Sequence, residues 1–269
     1  MLLRAKTVVM ARSMAAGICV LLLFESLSRT RLVSPALLPP MDLVLVRMFR
    51  PDVLMKYAVS MVPLTFAWAL GAWIIGLGAT GLLAAACQKS PSLSAILGMA
   101  FVGGRVLPSV IAVPLFVTLF GSSRITAAIC CCFLVMAYSH PTFEEGLRAL
   151  ARTREAIREV VTLSRGHELL LIALPGVAQA WKAIALQSFG IALVVTVAAE
   201  MILSFSGSIG DEVAKMAWLL RMTDVYALVG WLFIWAVVVK YFVDQLPMVL
   251  EWPSRRIMEE VKRRTLLPD

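Results

Sequence analysis

An all-α integral membrane protein of about six spans, one domain over residues 1–269, is the fold this sequence predicts. Three observations predict it. First, 60% of the 269 residues are hydrophobic and only 16% are charged, with a mean hydropathy of +0.87. A soluble chain has about 45–50% apolar and ~25% charged residues. Second, the charges fall in clusters separated by long uncharged runs. Third, the basic clusters gather in the segments that alternate crossings leave on one side. Together these exclude a nucleic-acid-binding domain, a disordered chain and an ordinary cytosolic enzyme, despite a net charge of +8.

A hydrocarbon core of about 30 Å needs roughly 20 apolar residues in a helix. Twelve uncharged residues separate Arg12 from Glu25. With Val8 to Ala11 added and Arg12 snorkelling, they give a first span at 8–27. A cleaved signal peptide fits the same stretch, but no A-x-A pattern comes after it, so an anchored span is expected. The second span, 57–87, occupies the 32 uncharged residues between Lys56 and Lys89. It is longer than the membrane is thick, so it tilts or protrudes. Gly71, Gly76, Gly78 and Gly81 on it are small-residue positions that let helices approach closely in lipid.

The third span, 93–121, contains Pro108 and Pro114 and is expected to be broken. Arg105 beside that break reads as a boundary anchor, with attraction of an anion as the alternative. Nineteen uncharged residues between Arg124 and Glu144 give a clean fourth span at 125–143. The fifth, 172–203, carries Lys182 near one end and Glu200 near the other. The sixth is 225–247. With both termini cytoplasmic, the inside segments hold Arg4, Lys6 and Lys89, the 144–168 arginines and the basic tail. Residues 28–56 resist this assignment: they fall outside yet carry Arg29, Arg31, Arg47, Arg50 and Lys56.

Segment 144–168 is too polar to span. Leu147, Leu150, Ile157, Val160 and Val161 recur near helical period, so an amphipathic helix or two short ones is expected on the cytoplasmic side. Such an element lies on anionic headgroups or docks a cytoplasmic partner. An acid at membrane depth is costly, so Glu200 either lines or gates a pathway near the outer mouth or holds a turn there. The five cysteines lie in apolar runs without a C-x-x-C pair and read as small buried hydrophobes. His140 and His167 have no ligand-like neighbours in sequence, so no metal site is expected.

The residues beyond the amphipathic segment carry a resemblance. Glu155-Ala156 precedes Leu174-Pro175. Gly190 comes fifteen residues after that proline, and then come Ala199-Glu200-Met201 and the glycine-bearing turn Ser206-Gly207-Ser208-Ile209-Gly210. Upstream stand SPALLPPMDLV at 34–44 and GRVLPSVIAVPLFVTLFG at 104–121, and downstream Glu251-Trp252. In this order and spacing, over about 34–256, the chain resembles the permease subunit of ABC importers, in the nitrate/sulfonate/taurine branch. It departs where the coupling motif has glycine, a position that falls at Thr162 here. The opening Glu sits one residue early.

The resemblance implies a type I ABC importer permease fold in the bacterial inner membrane, with a cytoplasmic coupling loop at 144–168. Glu155, Ala156, Thr162, Leu163, Ser164 and Arg165 would contact the ATPase there. It implies three partners besides the lipid bilayer: P-loop ATPase subunits, an extracytoplasmic substrate-binding protein and a second permease copy, giving a homodimer. ATP and Mg would sit on the ATPase, and no cofactor is expected in this chain. The substrate would be a small solute, with organic anions such as sulfonates among the candidates.

No G-x-x-x-x-G-K-[ST], G-x-S-x-G or H-E-x-x-H occurs, and no lysine follows a glycine, so catalysis by this chain is not expected. Two other classes stay open at this point. One is a membrane scaffold or regulatory protein whose amphipathic loop docks some other partner. The other is a transporter or channel working without ATP, which would carry more polar residues deep in its spans.

Overall fold

The computed structural model describes residues 15–160, apart from Ala16, Ile18 and Arg31, and residues 174–266. Side chains are described up to Gln245, with gaps around 153–160 and 174–183. Every regular element among the described residues is helical.

The chain begins in a helix, α1, over 19–29. Then come α2 (Met41–Met48) and a long helix, α3, over Pro51–Cys87. The section Leu54–Met61 of α3 is wound as π-helix. A Ser90 side chain that accepts from Leu93 N–H at 3.3 Å, with Pro91 at the first helical position, starts α4 (Pro91–Val106). After a break comes α5 (Ser109–Phe120). Gly121, at φ 81°, ends it in a conformation that favours glycine. The remainder is α6 (Arg124–Val160), α7 (Leu174–Leu203), α8 (Ile209–Trp218) and α9 (Met222–Leu266).

Four stretches are long and apolar enough to cross a membrane: Pro51–Cys87, Arg124–Arg152, Ile184–Leu203 and Met222–Gln245. The pair α4–α5 is bent by 115° at Leu107-Pro108 and counts as a fifth if taken as one broken crossing. Pro108 removes an N–H and disfavours helix at Leu107, which is extended at ψ 116°. Of the expected first span at 8–27, residues 8–14, 16 and 18 lie outside the described residues, and 19–27 are helical in α1.

Polar ties fix the ends of the bundle. At one end, the cap end, the Arg124 guanidinium donates to the Ser206 carbonyl at 2.9 Å. At the other, Ser94 Oγ donates to the Glu144 carboxylate at 2.7 Å, and Arg148 donates to it at 2.7 Å. Since α4 starts beside Glu144 and α5 ends beside Arg124, the broken pair runs along the Arg124–Glu144 part of α6.

The core is built on α3, α6 and α7. Gly76 brings α3 against α6: a Cβ there would stand 2.8 Å from Val135 Cγ1 and 3.1 Å from the Cys132 carbonyl. Gly76→Ala is therefore expected to cost about 1–3 kcal/mol, while Gly71→Ala, whose site is open, leaves thermal stability in detergent unchanged. Equal melting temperatures for the two variants would contradict this packing. Trp73 stacks near Trp181 and Phe189, with ring centres 5.7 Å apart in both pairs. Its indole N–H donates to Ser188 Oγ at 2.9 Å, so the buried ring has its partner.

Three expectations are modified. Segment 144–160 is not a separate amphipathic helix but the continuation of α6, 37 residues long. Leu147 packs on the core, and Arg148 pairs with Glu144 one turn away, so nothing there breaks the helix. The helix of the last span continues as α9 to Leu266, although its apolar crossing stretch, Met222–Gln245, ends close to the expected 247. The cysteines divide: Cys87, Cys130 and Cys131 are buried, Cys132 is half-buried and Cys19 is exposed.

The basic residues of 28–56 find acids in the same layer. Arg47 pairs with Asp224, Lys56 with Glu212 at 2.6 Å, Arg50 with Asp52 at 3.1 Å and Arg29 with Glu25. Asp224 also takes Arg221 at 2.7 Å, and Asp211 takes Lys215 at 2.6 Å. The hydrogen bond to Asp224 raises the Arg47 pKa further, and that to Asp211 raises the Lys215 pKa, so both cations stay charged. Four of the five cations that resisted the orientation rule thus have acids beside them, and Arg31 lies outside the described residues.

Candidate functional site

Two polar constellations stand out, one buried at the cap end and one opening onto the surface at the break between α4 and α5. The first closes the cap end. Glu200, near the end of α7, is 4% exposed. Thr65 Oγ1 on α3 lies 2.9 and 3.0 Å from its two carboxylate oxygens. The Gly210 N–H donates to it at 3.1 Å, and the Ile209 N–H donates to Thr65 Oγ1 at 3.3 Å. The carboxylate thus receives one free N–H, that of Gly210, at the start of α8, where negative charge is favoured. Ser208 caps the same helix, its Oγ accepting from Asp211 N–H at 3.4 Å.

The chain can turn back here because Ser204 and Gly207 adopt φ of 50° and 80°. Beside Glu200 is a cavity of about 20 Å³ lined by Trp68, Arg124, Ala127, Ala128, Thr196 and Phe205. It has room for about one water. Glu200 thus pins the turn and borders a water-sized void.

The second constellation sits at the break between α4 and α5. A cavity of about 440 Å³ is lined there by Arg105 to Ser109, by Leu134 and Tyr138 of α6, and by Gln187, Gly190, Ile191, Val194 and Val195 of α7. Arg105, read from the sequence as a boundary anchor, is tied to α6. Its guanidinium donates to the Ala137 carbonyl at 2.9 Å and the Tyr138 carbonyl at 2.8 Å, and Tyr138 Oη donates back to the Arg105 carbonyl at 2.9 Å. On α6 Ala137 lies seven residues from Glu144, or about 10 Å along a helix. The charge is half-buried against α6, about that far from the Glu144 end.

The sequence points to this cavity only in part. The two prolines and Arg105 mark the break, and Gly190 marks an open helix face. Tyr138 and Gln187 give no signal, because single polar residues in apolar runs are ordinary.

Of the residues expected to contact an ATPase, Glu155 lies exposed on α6 and Ala156 is next to it in the same helix. Thr162, Leu163, Ser164 and Arg165 lie outside the described residues. The end of α6 that leads towards Glu155 carries a groove lined by Pro141, Glu144, Glu145, Arg148, Ala149 and Arg152. Near it His140 is buried, with Cys87 Sγ 3.7 Å away and Glu144 3.9 Å away. Among the described residues no group of three such side chains could hold a metal ion.

Against known proteins, no family model matches this chain and no curated protein matches it.

Proposed function

We propose that this chain is the transmembrane permease subunit of an ATP-driven ABC importer of small solutes. Two copies form one pathway, an extracytoplasmic binding protein delivers the solute, and two P-loop ATPases drive alternating access. The protein lives in the bacterial inner membrane with both termini cytoplasmic, and it holds no cofactor of its own.

The observation that carries the reading is the cavity of about 440 Å³ at the 115° break, bordered by polar and charged groups. A scaffold or anchor needs no such void. Interrupted helices at membrane depth are tolerated where they line a water-filled space or are buried in protein. The continuity of α6 supports the coupling half of the proposal. One helix bears Tyr138 on the cavity, Glu144 at the bundle's end and Glu155 beyond it, with Pro141 inside it. A push at Glu155 would therefore reach the cavity wall through a continuous helix whose weakest turn is at Pro141. ATP coupling itself rests on the resemblance of 155–175 and 190–210 to that family.

The test is affinity purification of the tagged chain from its host in mild detergent. A P-loop ATPase is expected to copurify, and to be lost with Ser164→Glu plus Arg165→Glu. If no ATPase appears even after crosslinking, ATP coupling is wrong, and the scaffold and channel alternatives take its place.

A further inference from the structure

We propose that the first turns of α3 are a two-register switch. The π-wound section Leu54–Met61 keeps α8 gripped over the Glu200 turn, and rewinding that section as α-helix releases α8. The inference goes beyond the transport reading and does not depend on it.

The π section shows in the burial pattern as well as in the winding. Buried positions recur along α3 at 53, 57–58 and 62, in steps of four to five residues. Beyond Val62 they recur at 65–66, 69 and 72–73, in the steps of three to four that an α-helix requires. The cause is in the sequence. Pro63 has no N–H to give the Val59 carbonyl, and in an α-helix its ring crowds that carbonyl. The Val62 N–H reaches back five residues to the Tyr57 carbonyl instead. One extra residue is thereby taken up in the turns before the proline.

That extra residue decides what α3 can hold. Tyr57 and Thr65 are eight residues apart. In an unbroken α-helix they would stand about 80° apart around the axis. The π winding brings both onto the face that meets α8. Thr65 Oγ1 accepts from the Ile209 N–H at 3.3 Å. One turn along α8, the Glu212 carboxylate accepts from Tyr57 Oη at 3.1 Å and from Lys56 Nζ at 2.6 Å. The first turn of α8 is therefore gripped at both ends, which keeps the Gly210 N–H on Glu200.

The sequence also supports the other register. Counted back from Val62 at about 3.6 residues per turn, the inward positions of an α-helix fall at 58–59 and 55. These are Ala58, Val59 and Met55, all apolar. Val59 and Met55 now face outward, 58% and 61% exposed. Rewinding exchanges them for Val53 and Tyr57, and carries Tyr57 and Lys56 about 100° away from Glu212. Arg50, extended at ψ 134° before Pro51, is the joint that absorbs this turn while Arg47 keeps α2 on Asp224. Apolar side chains face inward in both registers. One register is held by the Glu212 contacts and by Pro63, the other by regular α-helical bonds.

Pro63→Ala removes the cause and tests the switch. Nitroxide labels would be placed singly at Met55→Cys and Val59→Cys in full-length chain reconstituted in vesicles. Cys19 and Cys132 would be replaced by alanine, since the other three native thiols are buried. Mobility and oxygen accessibility are read by electron spin resonance. In the parent both labels are expected to be mobile and open. In Pro63→Ala both should become immobilised and shielded, while a label at Ile74→Cys, exposed beyond the proline, stays as it was. A label at Leu219→Cys, exposed just past the end of α8, should gain mobility in Pro63→Ala.

Deleting Ser60 from Pro63→Ala takes out the extra residue and returns Tyr57 to the α8 face, so it should reverse all three shifts. Unfolding frees labels and does not shield them, so a misfolded variant cannot imitate the expected result. Labels at 55 and 59 that are shielded in the parent, unmoved by Pro63→Ala or not restored by the deletion would each overturn the switch. A shift at 55 and 59 with no change at 219 would overturn the release of α8. None of these results depends on whether an ATPase copurifies.

Discussion

Gly210→Ala should unseat α8 and lower the melting temperature in detergent by about 5–15 °C. A Cβ at position 210 would stand 2.5 Å from Glu200 Cβ, 2.5 Å from the Val197 carbonyl and 2.9 Å from Met201 N. Two of these neighbours are backbone of α7, which cannot turn aside as a side chain can. Overpacking alone costs about 1–3 kcal/mol. Moving α8 away also breaks the Gly210 N–H bond to Glu200 and strips a donor from a buried carboxylate, worth roughly 1–3 kcal/mol more. At about 2–4 °C per kcal/mol for a chain of this size, the sum gives the stated range. Gly190→Ala is the matched control: its site is open, and the expected shift is under about 2 °C. If Gly210→Ala melted like the control, α8 would not be docked on α7 as described.

Asp224→Ala should be nearly as damaging. Its carboxylate is 6% exposed and accepts from Arg47 and Arg221, tying α2 to the start of α9. Removing it leaves Arg47, only 20% exposed, with Asp52 at 3.8 Å as its remaining acid and none on α9. Breaking a fully buried pair costs about 3–5 kcal/mol, and partial exposure places this one nearer about 2–4 kcal/mol. The double variant Arg47→Met, Asp224→Leu is expected to recover most of the loss, because it removes both charges together. Two measurements check this: melting temperature, and limited proteolysis between residues 28 and 50, which should quicken in the single variant only. A double variant no more stable than Asp224→Ala would show that the charge itself, and not its abandonment, matters here.

Much of this architecture was legible in the sequence for one reason: uncharged runs of fixed minimum length leave few places for a crossing. The runs after Lys56 and Arg124 became α3 and α6, and Pro108 marked the break correctly because a missing N–H is a local property. Long-range pairing was not legible. Arg47 and Asp224 are 177 residues apart, and no periodicity connects them, so the basic 28–56 segment looked like a violation of charge bias. The continuation of α6 past Glu144 was obscured for a related reason. A rise in charge density resembles a boundary, yet i,i+4 pairs such as Glu144–Arg148 let a helix carry charge onward. At the candidate site Arg105 stood out as a charge beside a break, while Tyr138 and Gln187 acquire meaning only once three helices are brought together.

The late partners of the 28–56 cations have a consequence for how the chain is made. Arg47 leaves the ribosome 177 residues before Asp224, and Lys56 leaves 156 residues before Glu212. At synthesis rates of ~5–20 residues per second, the wait is about 10–35 s for Arg47. On whichever side of the bilayer this layer lies, Arg47 and Lys56 spend that interval without Asp224 and Glu212, and an insertion machinery that reads charge meets them before those acids exist. Final orientation is therefore open to revision until the last hairpin arrives, and the clasp between α2 and α9 serves as the latch that ends the choice.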